Sequence, residues 1–363
     1  MLNFNFVVGN PPYQKQSDGK ATHMLPVYHI FMDKAYELSR NVTLITPAKY
    51  LFNAGLTPKK FNQERINDIH FRVLWYTENN HAVFGDCEIK GGVAVSNRNE
   101  SITYGKIGTF FKHPELKTIV QKVMRCGCSP KGEKDATPEN DSGCTDYSGD
   151  NGFKSLTEII TPYTQTLFNP VFFETFQEHP LRDLQIKTNV FERYPDAFPV
   201  DKPEDAGNYY HILGRVGGVK GYREWRWVKR EYISAPDAVN YFKVFFPRSY
   251  GSGVMEDPAP NMVIGEPGEI ANQSFLYIGK FPDRRQAENC RNYLQTKFAR
   301  AMLSILRVTQ DTATYKFRYV PIVDFSMHSD IDWDGDVCSI DEYLFSHFFL
   351  SASERNFIRT RLK

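Results

Sequence analysis

Apolar positions in the first hundred residues switch repeatedly between two periods. Phe4-Asn5-Phe6-Val7-Val8-Gly9 is short and apolar and reads as a buried strand. Over residues 24–39, Leu25, Tyr28, Met32, Ala35 and Leu38 recur at helical spacing, which predicts a helix with one apolar stripe. Val42-Thr43-Leu44-Ile45 then reads as a strand stopped by Thr46-Pro47. Pro58 suits the first turn of a second helix, through about Ile66. Ile69 to Tyr76 is strand-like, and Gly91-Gly92-Val93-Ala94-Val95 is a last short strand. Strands alternating with helices predict an α/β sheet.

The pattern then loosens. Pro114 to Met124 is helix-like and lies near an expected boundary between two parts of the chain, on either of which it could pack. Residues 126–152 are rich in Gly, Ser, Asp, Lys and Asn and read as a solvated, mobile loop. From about 186 the chain becomes short strands separated by turns. His211-Ile212-Leu213-Gly214 leads into the corner Gly217-Gly218-Val219-Lys220-Gly221 and then into Tyr222 to Arg230. Period-two alternation puts Arg223, Trp225, Trp227 and Lys229 on one face, and Glu224, Arg226, Val228 and Arg230 on the other. Aromatics interleaved with Arg and Lys suit a nucleic-acid surface, because cations neutralise phosphates and Arg reads guanine edges. The competing reading is a strand with core tryptophans and solvated cations. Gln273 to Gly279 is a further strand. One long helix is expected after it, burying Ala287, Tyr293, Leu294, Phe298, Met302 and Ile305.

The chemistry sits where the first strand ends, at Asn10-Pro11-Pro12-Tyr13. Open α/β sheets bind ligands at the carboxyl ends of their strands. The Asn10 amide oxygen is an acceptor. Pro11 and Pro12 have nearly fixed φ and no N–H, so they leave carbonyl acceptors in a stiff loop. Tyr13 offers a flat face. Two acceptors beside an aromatic plate suit a planar substrate with an NH2 group, such as adenine; the bland reading is a proline turn that only closes a strand.

Composition narrows the setting. A net charge of +1 does not announce a nucleic-acid binder, so any basic surface must be local. The start lacks a basic n-region and a long apolar run, so neither signal peptide nor membrane span is expected. Six cysteines suit a reducing cytoplasm. Cys126, Cys128 and Cys144 do not complete a zinc ligand set, and no metal is expected.

Asn10-Pro11-Pro12-Tyr13 resembles motif IV of the amino-methyltransferases that use S-adenosylmethionine. The segments that follow look like motifs IV to VIII of adenine-N6 DNA methyltransferases from type II and IIG restriction–modification systems. Leu25 to Leu38 matches their helix after the catalytic loop, and Leu44-Ile45-Thr46-Pro47 their next strand. Ala82-Val83-Phe84-Gly85 matches the segment that places a second aromatic on the target base, which makes Phe84 the candidate. A core aromatic under the sheet is the alternative for Phe84. More diffusely, Ala287-Glu288-Asn289, Tyr293 to Phe298, Thr309-Gln310 and Val320-Pro321 resemble the family's target-recognition module. The resemblance implies the second half of a doubly wound methyltransferase sheet, then an α+β target-recognition domain. It divides the chain into a catalytic half (1–125), a loop and connector (126–185) and a DNA-recognition domain (186–363). It also implies catalytic roles for Asn10, Pro11, Pro12 and Tyr13, and base stacking by Tyr13 and Phe84. Double-stranded DNA is the implied partner, contacted by Arg223, Trp225, Arg226, Lys229 and Arg230.

The family's cofactor half does not precede Asn10, which has only nine residues before it. Tyr250-Gly251-Ser252-Gly253 looks like a cofactor turn, but Val254 to Pro260 is too rich in proline to open a helix. The chain thus reads as a truncated product, a deliberately shortened chain or half of a split enzyme. Its S-adenosylmethionine site would lie in an upstream half, and a nuclease polypeptide could accompany it. Left unpaired, Phe4 to Val8 would be an apolar edge of the kind proteins avoid. A non-catalytic DNA-recognition subunit, and a methyltransferase acting on protein glutamine or RNA, are the alternatives.

Overall fold

The computed structural model describes residues 4–15, 25–78, 81–85, 89–126, 153–177, 184–217 and 221–362, in a mixed α/β arrangement of several small sheets. The amino-terminal sheet holds β1 (Val7–Gly9), β2 (Asn41–Pro47), β3 (Phe71–Thr77) and β4 (Val93–Asn99), in the order β1-β2-β4-β3. β1 and β2 are parallel, with Val8 opposite Thr43. β4 is antiparallel to both its neighbours, so β1, β2 and β3 run in one direction. The parallel crossover from β1 to β2 is made by α1 (Tyr28–Leu38), and α2 (Lys59–Asn67) precedes β3. β1 lies at the sheet edge, with Phe6 and Val8 exposed.

α1 begins later than the apolar stripe suggests. Leu25 lies before it, in an extended segment where Lys15 N–H donates to Leu25 O at 3.0 Å and Val27 N–H to Tyr13 O at 3.1 Å. Tyr28, Met32 and Ala35 form the buried face and meet Tyr50, Phe52, Phe61 and Phe71 in one core. A short α3 (His81–Phe84) follows β3.

α4 (Pro114–Cys126) belongs by packing to the carboxyl-terminal part. Its buried residues Leu116, Ile119, Val120 and Val123 share a core with Tyr293, Phe298 and Ile358. Thr118 Oγ1 and Lys122 Nζ both donate to the Glu354 carboxylate, at 2.6 Å each. Of the two parts on which this helix was expected to pack, it therefore packs on the carboxyl-terminal one. Of the loop expected over 126–152, Cys126 is instead the last residue of α4; residues 127–152, with Cys128 and Cys144, lie outside the described residues, as do Gly218, Val219 and Lys220.

Among the described residues, the rest of the chain builds three small sheets. β5 (Ile160–Thr161), β10 (Phe242–Pro247), β11 (Val263–Gly265) and β13 (Phe275–Phe281) form one, in the order β11-β10-β13-β5. β7 (Tyr209–Val216) and β8 (Tyr222–Lys229) form an antiparallel hairpin, extended by β12 (Glu269–Ala271) alongside β7. β6 (Leu167–Phe168) pairs with β9 (Ile233–Ser234), near the short helices α5 (Pro170–Thr175) and α6 (Val190–Arg193).

The single long helix expected after β13 is two helices, α7 (Arg284–Gln295) and α8 (Lys297–Ser304). Thr296 breaks it, with ψ at 148°, and its hydroxyl accepts the Ala299 N–H at 3.1 Å. The Asp341 carboxylate, from α9 (Val337–His347), accepts the N–H groups of Lys297 and Phe298 at 2.9 and 2.8 Å. With these donors capped the chain restarts a helix at once, and all six expected apolar residues are still buried. A last helix, α10 (Ala352–Arg361), opens with a capping box between Ser351 and Glu354.

Candidate functional site

Because β1 and β2 are parallel, their carboxyl ends meet at one edge of the sheet. A cavity of about 810 Å³ opens there, lined by Asn10, Pro11, Pro12 and Tyr13 after β1, Pro47 at the end of β2, Lys49 just beyond it, and Phe84 from α3. All four residues of the motif, and the candidate second aromatic, thus share one site. The loop carrying them is tied down by the Tyr13 and Lys15 backbone bonds to the segment before α1.

Tyr13 is anchored by packing. Its ring packs on the amino-terminal core, and burial pushes its pKa up to about 12. Its hydroxyl is buried without a hydrogen-bond partner. At physiological pH the side chain is a neutral plate, suited to stacking and not to proton transfer. Asn10, by contrast, is exposed to the cavity mouth.

Sequence reasoning missed three contributors to the wall. Tyr28 and Thr57 line it together, with their hydroxyls 2.7 Å apart. Lys49 reaches it because its stem passes Gly91: a Cβ on Gly91 would lie 2.8 Å from Lys49 Cγ. Gly91 also has φ at +87°, which favours glycine. The signal for Lys49 was available, since it follows the parallel neighbour of the motif strand and must fall at the same edge.

The five residues expected to contact DNA are not brought together on one face. Trp225 packs against the core around Phe245, with His211 stacked between Trp225 and Trp227 at 4.4 and 4.5 Å. Arg226 lies on the opposite face, over Phe191 at 5.0 Å, where its Nε donates to Glu224 at 2.9 Å. Both faces of β8 therefore carry packed side chains. Lys229 pairs with Glu231 at 3.4 Å, and Arg230 lies 4.5 Å over the Tyr210 ring. Arg223 stands near the turn of the hairpin, over Phe275 at 5.2 Å.

The Gly251–Gly253 turn does not fit a cofactor. Its amides are taken by the protein's own carboxylate: the N–H groups of Ser252 and Gly253 donate to Asp257 at 2.9 and 2.7 Å. Asp257 is paired with the buried Arg307 at 3.0 Å. An external anion or ribose would have to displace that pair. No helix follows the turn before α7. Among the described residues no cluster of His, Cys, Asp and Glu is arranged to hold a metal ion, and no helix is long and apolar enough to cross a membrane.

With this geometry in view, comparison with known proteins adds a class. The family model of the Eco57I restriction-modification methylase matches residues 2–84, the stretch from β1 to the end of α3. The amino-terminal segment is therefore similar to restriction–modification methylases. Comparison with the curated proteins finds no match. Among solved structures, the type IIG restriction endonuclease BpuSI is similar at 11% identity and a TM-score of 0.35, over 93% of this chain and 48% of that one. The chain spans about half the length of that structure.

Proposed function

We propose that this chain carries the base-capturing half of a site-specific DNA methyltransferase acting on adenine N6. The observation that carries the reading is the cavity at the end of β1, lined by Asn10, Pro11, Pro12 and Tyr13 within the segment that the methylase family model matches. In this reading an adenine leaves the duplex stack and enters that cavity. The Asn10 side-chain oxygen and the Pro11 carbonyl accept the two N6 hydrogens. That fixes the amino group and turns its lone pair away from the ring. Tyr13 holds one face of the base. Positioning and preorganised acceptors supply the rate, and no strong base is required. Double-stranded DNA is the proposed partner. S-adenosylmethionine is the proposed methyl donor, held by a further methyltransferase half and not by the Gly251–Gly253 turn.

The test is Asn10→Ala in the completed enzyme, read by transfer of a tritiated methyl group to adenine-containing duplex. Turnover should fall roughly a hundredfold or more, because a preorganised hydrogen-bond partner is lost, while duplex binding survives. A variant that keeps more than about a tenth of wild-type turnover would remove Asn10 from this role.

A further inference from the structure

Away from the cavity, the β7–β8 hairpin holds two permanent positive charges against each other. Arg215 stands directly opposite Arg223 in the register. Side chains at such positions start about 5 Å apart at Cβ, and like charges there are destabilising. The surroundings do not relieve Arg223. Its guanidinium lies over Phe275, its Nη1 is buried with no hydrogen-bond acceptor, and among the described residues it has no ion pair. Burial, and then the charge of Arg215, disfavour its protonated form. A buried guanidinium nitrogen without an acceptor is costly, and a second arginine across the strand adds to that cost.

We propose that Arg215 and Arg223 clamp a single phosphate oxyanion, and that the backbone of bound DNA supplies it. Guanidinium groups present planar forks of donors that match phosphate oxygens. One anion between the two would neutralise their repulsion. The Phe275 ring holds the Arg223 plane in place before the anion arrives. The role is positional: phosphate contacts fix how a protein sits on a duplex and carry no base information. This inference rests on DNA being the partner and is independent of methyl transfer, so a chain that grips DNA here without methylating it would leave the clamp standing.

The experiment measures binding of the full chain to a fluorescent duplex across a series of salt concentrations. Each neutralised phosphate contributes about 0.9 to the slope of log affinity against log salt. Arg215→Ala, Arg223→Ala and the double variant should each lose about that same amount, because the two side chains share one phosphate. Arg223→Lys should keep the slope, and Arg285→Ala, at a site outside the hairpin, should leave it unchanged. Arg223→Met should weaken binding while its thermal midpoint stays level or rises, since an uncompensated charge is gone. Unchanged slopes in the Ala variants, a lower midpoint with an unchanged slope in Arg223→Met, or no duplex binding by the wild-type chain would each overturn the proposal. Inorganic phosphate at matched ionic strength separates the sources. Stabilisation by phosphate that needs both arginines, with duplex slopes unaffected, would assign the site to free phosphate and overturn the DNA clamp.

Discussion

The Phe84 ring meets the Tyr13 ring edge to face, with centroids 5.8 Å apart and planes at 85°. A base sandwiched between two aromatics needs them parallel and about 7 Å apart, twice a stacking distance. The two rings are therefore not set as a ready sandwich, and in the proposed reading one of them turns as the base enters.

From this follows an asymmetry between the two rings. Tyr13→Ala should weaken base capture by about 1–3 kcal/mol, the usual worth of one stacked base. Tyr13→Phe should retain it, because the hydroxyl is buried without a partner and contributes nothing to stacking. Removing that unsatisfied group should leave stability level or slightly raised. Phe84→Ala should have a smaller effect than Tyr13→Ala, since Phe84 stands perpendicular to Tyr13 and is not set to stack on the same base. Fluorescence of 2-aminopurine at the target position reads extrusion directly. Equal signals from the Tyr13 Ala and Phe variants would end the stacking role.

A second expectation concerns the turn at Gly251. Burial alone would raise the Asp257 carboxyl, but the amides of Ser252 and Gly253 and the Arg307 guanidinium hold it below the ordinary carboxylate range. Its stabilising contribution is therefore full above the unfolded value and is lost as pH falls through the lowered folded value. Asp257→Ala should cost about 3–5 kcal/mol in urea unfolding at neutral pH, because it strands Arg307. With the turn filled in this way, calorimetry of the chain with S-adenosylmethionine should show no saturable heat. Binding would mean that the chain holds a cofactor site of its own.

Much of the amino-terminal sheet was legible because its strands and helices differ in period. The motif at Asn10–Tyr13 was legible because strand ends need turn residues. What was not legible has identifiable causes. β4 runs on to Asn99, past the apolar stretch, because polar residues there pair across the sheet: Asn97 Nδ2 donates to Asn41 and Thr43 side chains at 3.0 Å each. Arg98 meets Asp68 at 2.7 Å in the same region. The break at Thr296 was hidden because the apolar period continues through it, while the deciding partner, Asp341, lies far along the chain. Alternation along β8 sorted its residues into two faces correctly, yet period two cannot tell an open face from one covered by a second sheet. Trp225 and Arg226, each half-buried, are engaged by the protein's own groups for that reason.

The last prediction takes its sign from a buried lysine. Lys243, on β10, is fully buried, and its Nζ donates to the carbonyls of Glu266, Tyr241 and Val239 at 2.7, 3.1 and 3.4 Å. Burial pushes its pKa down to about 7, against 10.5 for a free side chain, and the charges of Glu269 and Glu266 only partly offset that. Between these two values the unfolded chain holds a proton that the folded chain has released. Stability should therefore rise with pH across this window, by at most about 1.4 kcal/mol per pH unit from this group. Lys243→Met removes the proton and nearly keeps the volume. Its unfolding free energy, measured by denaturant at steps from pH 7 to 10, should rise less steeply than wild type. The difference between the variant and wild type should favour the variant most at the acid end, where the native lysine bears a desolvated charge. Parallel pH profiles for the two proteins would mean that the lysine keeps its charge inside the fold, held by the three carbonyls.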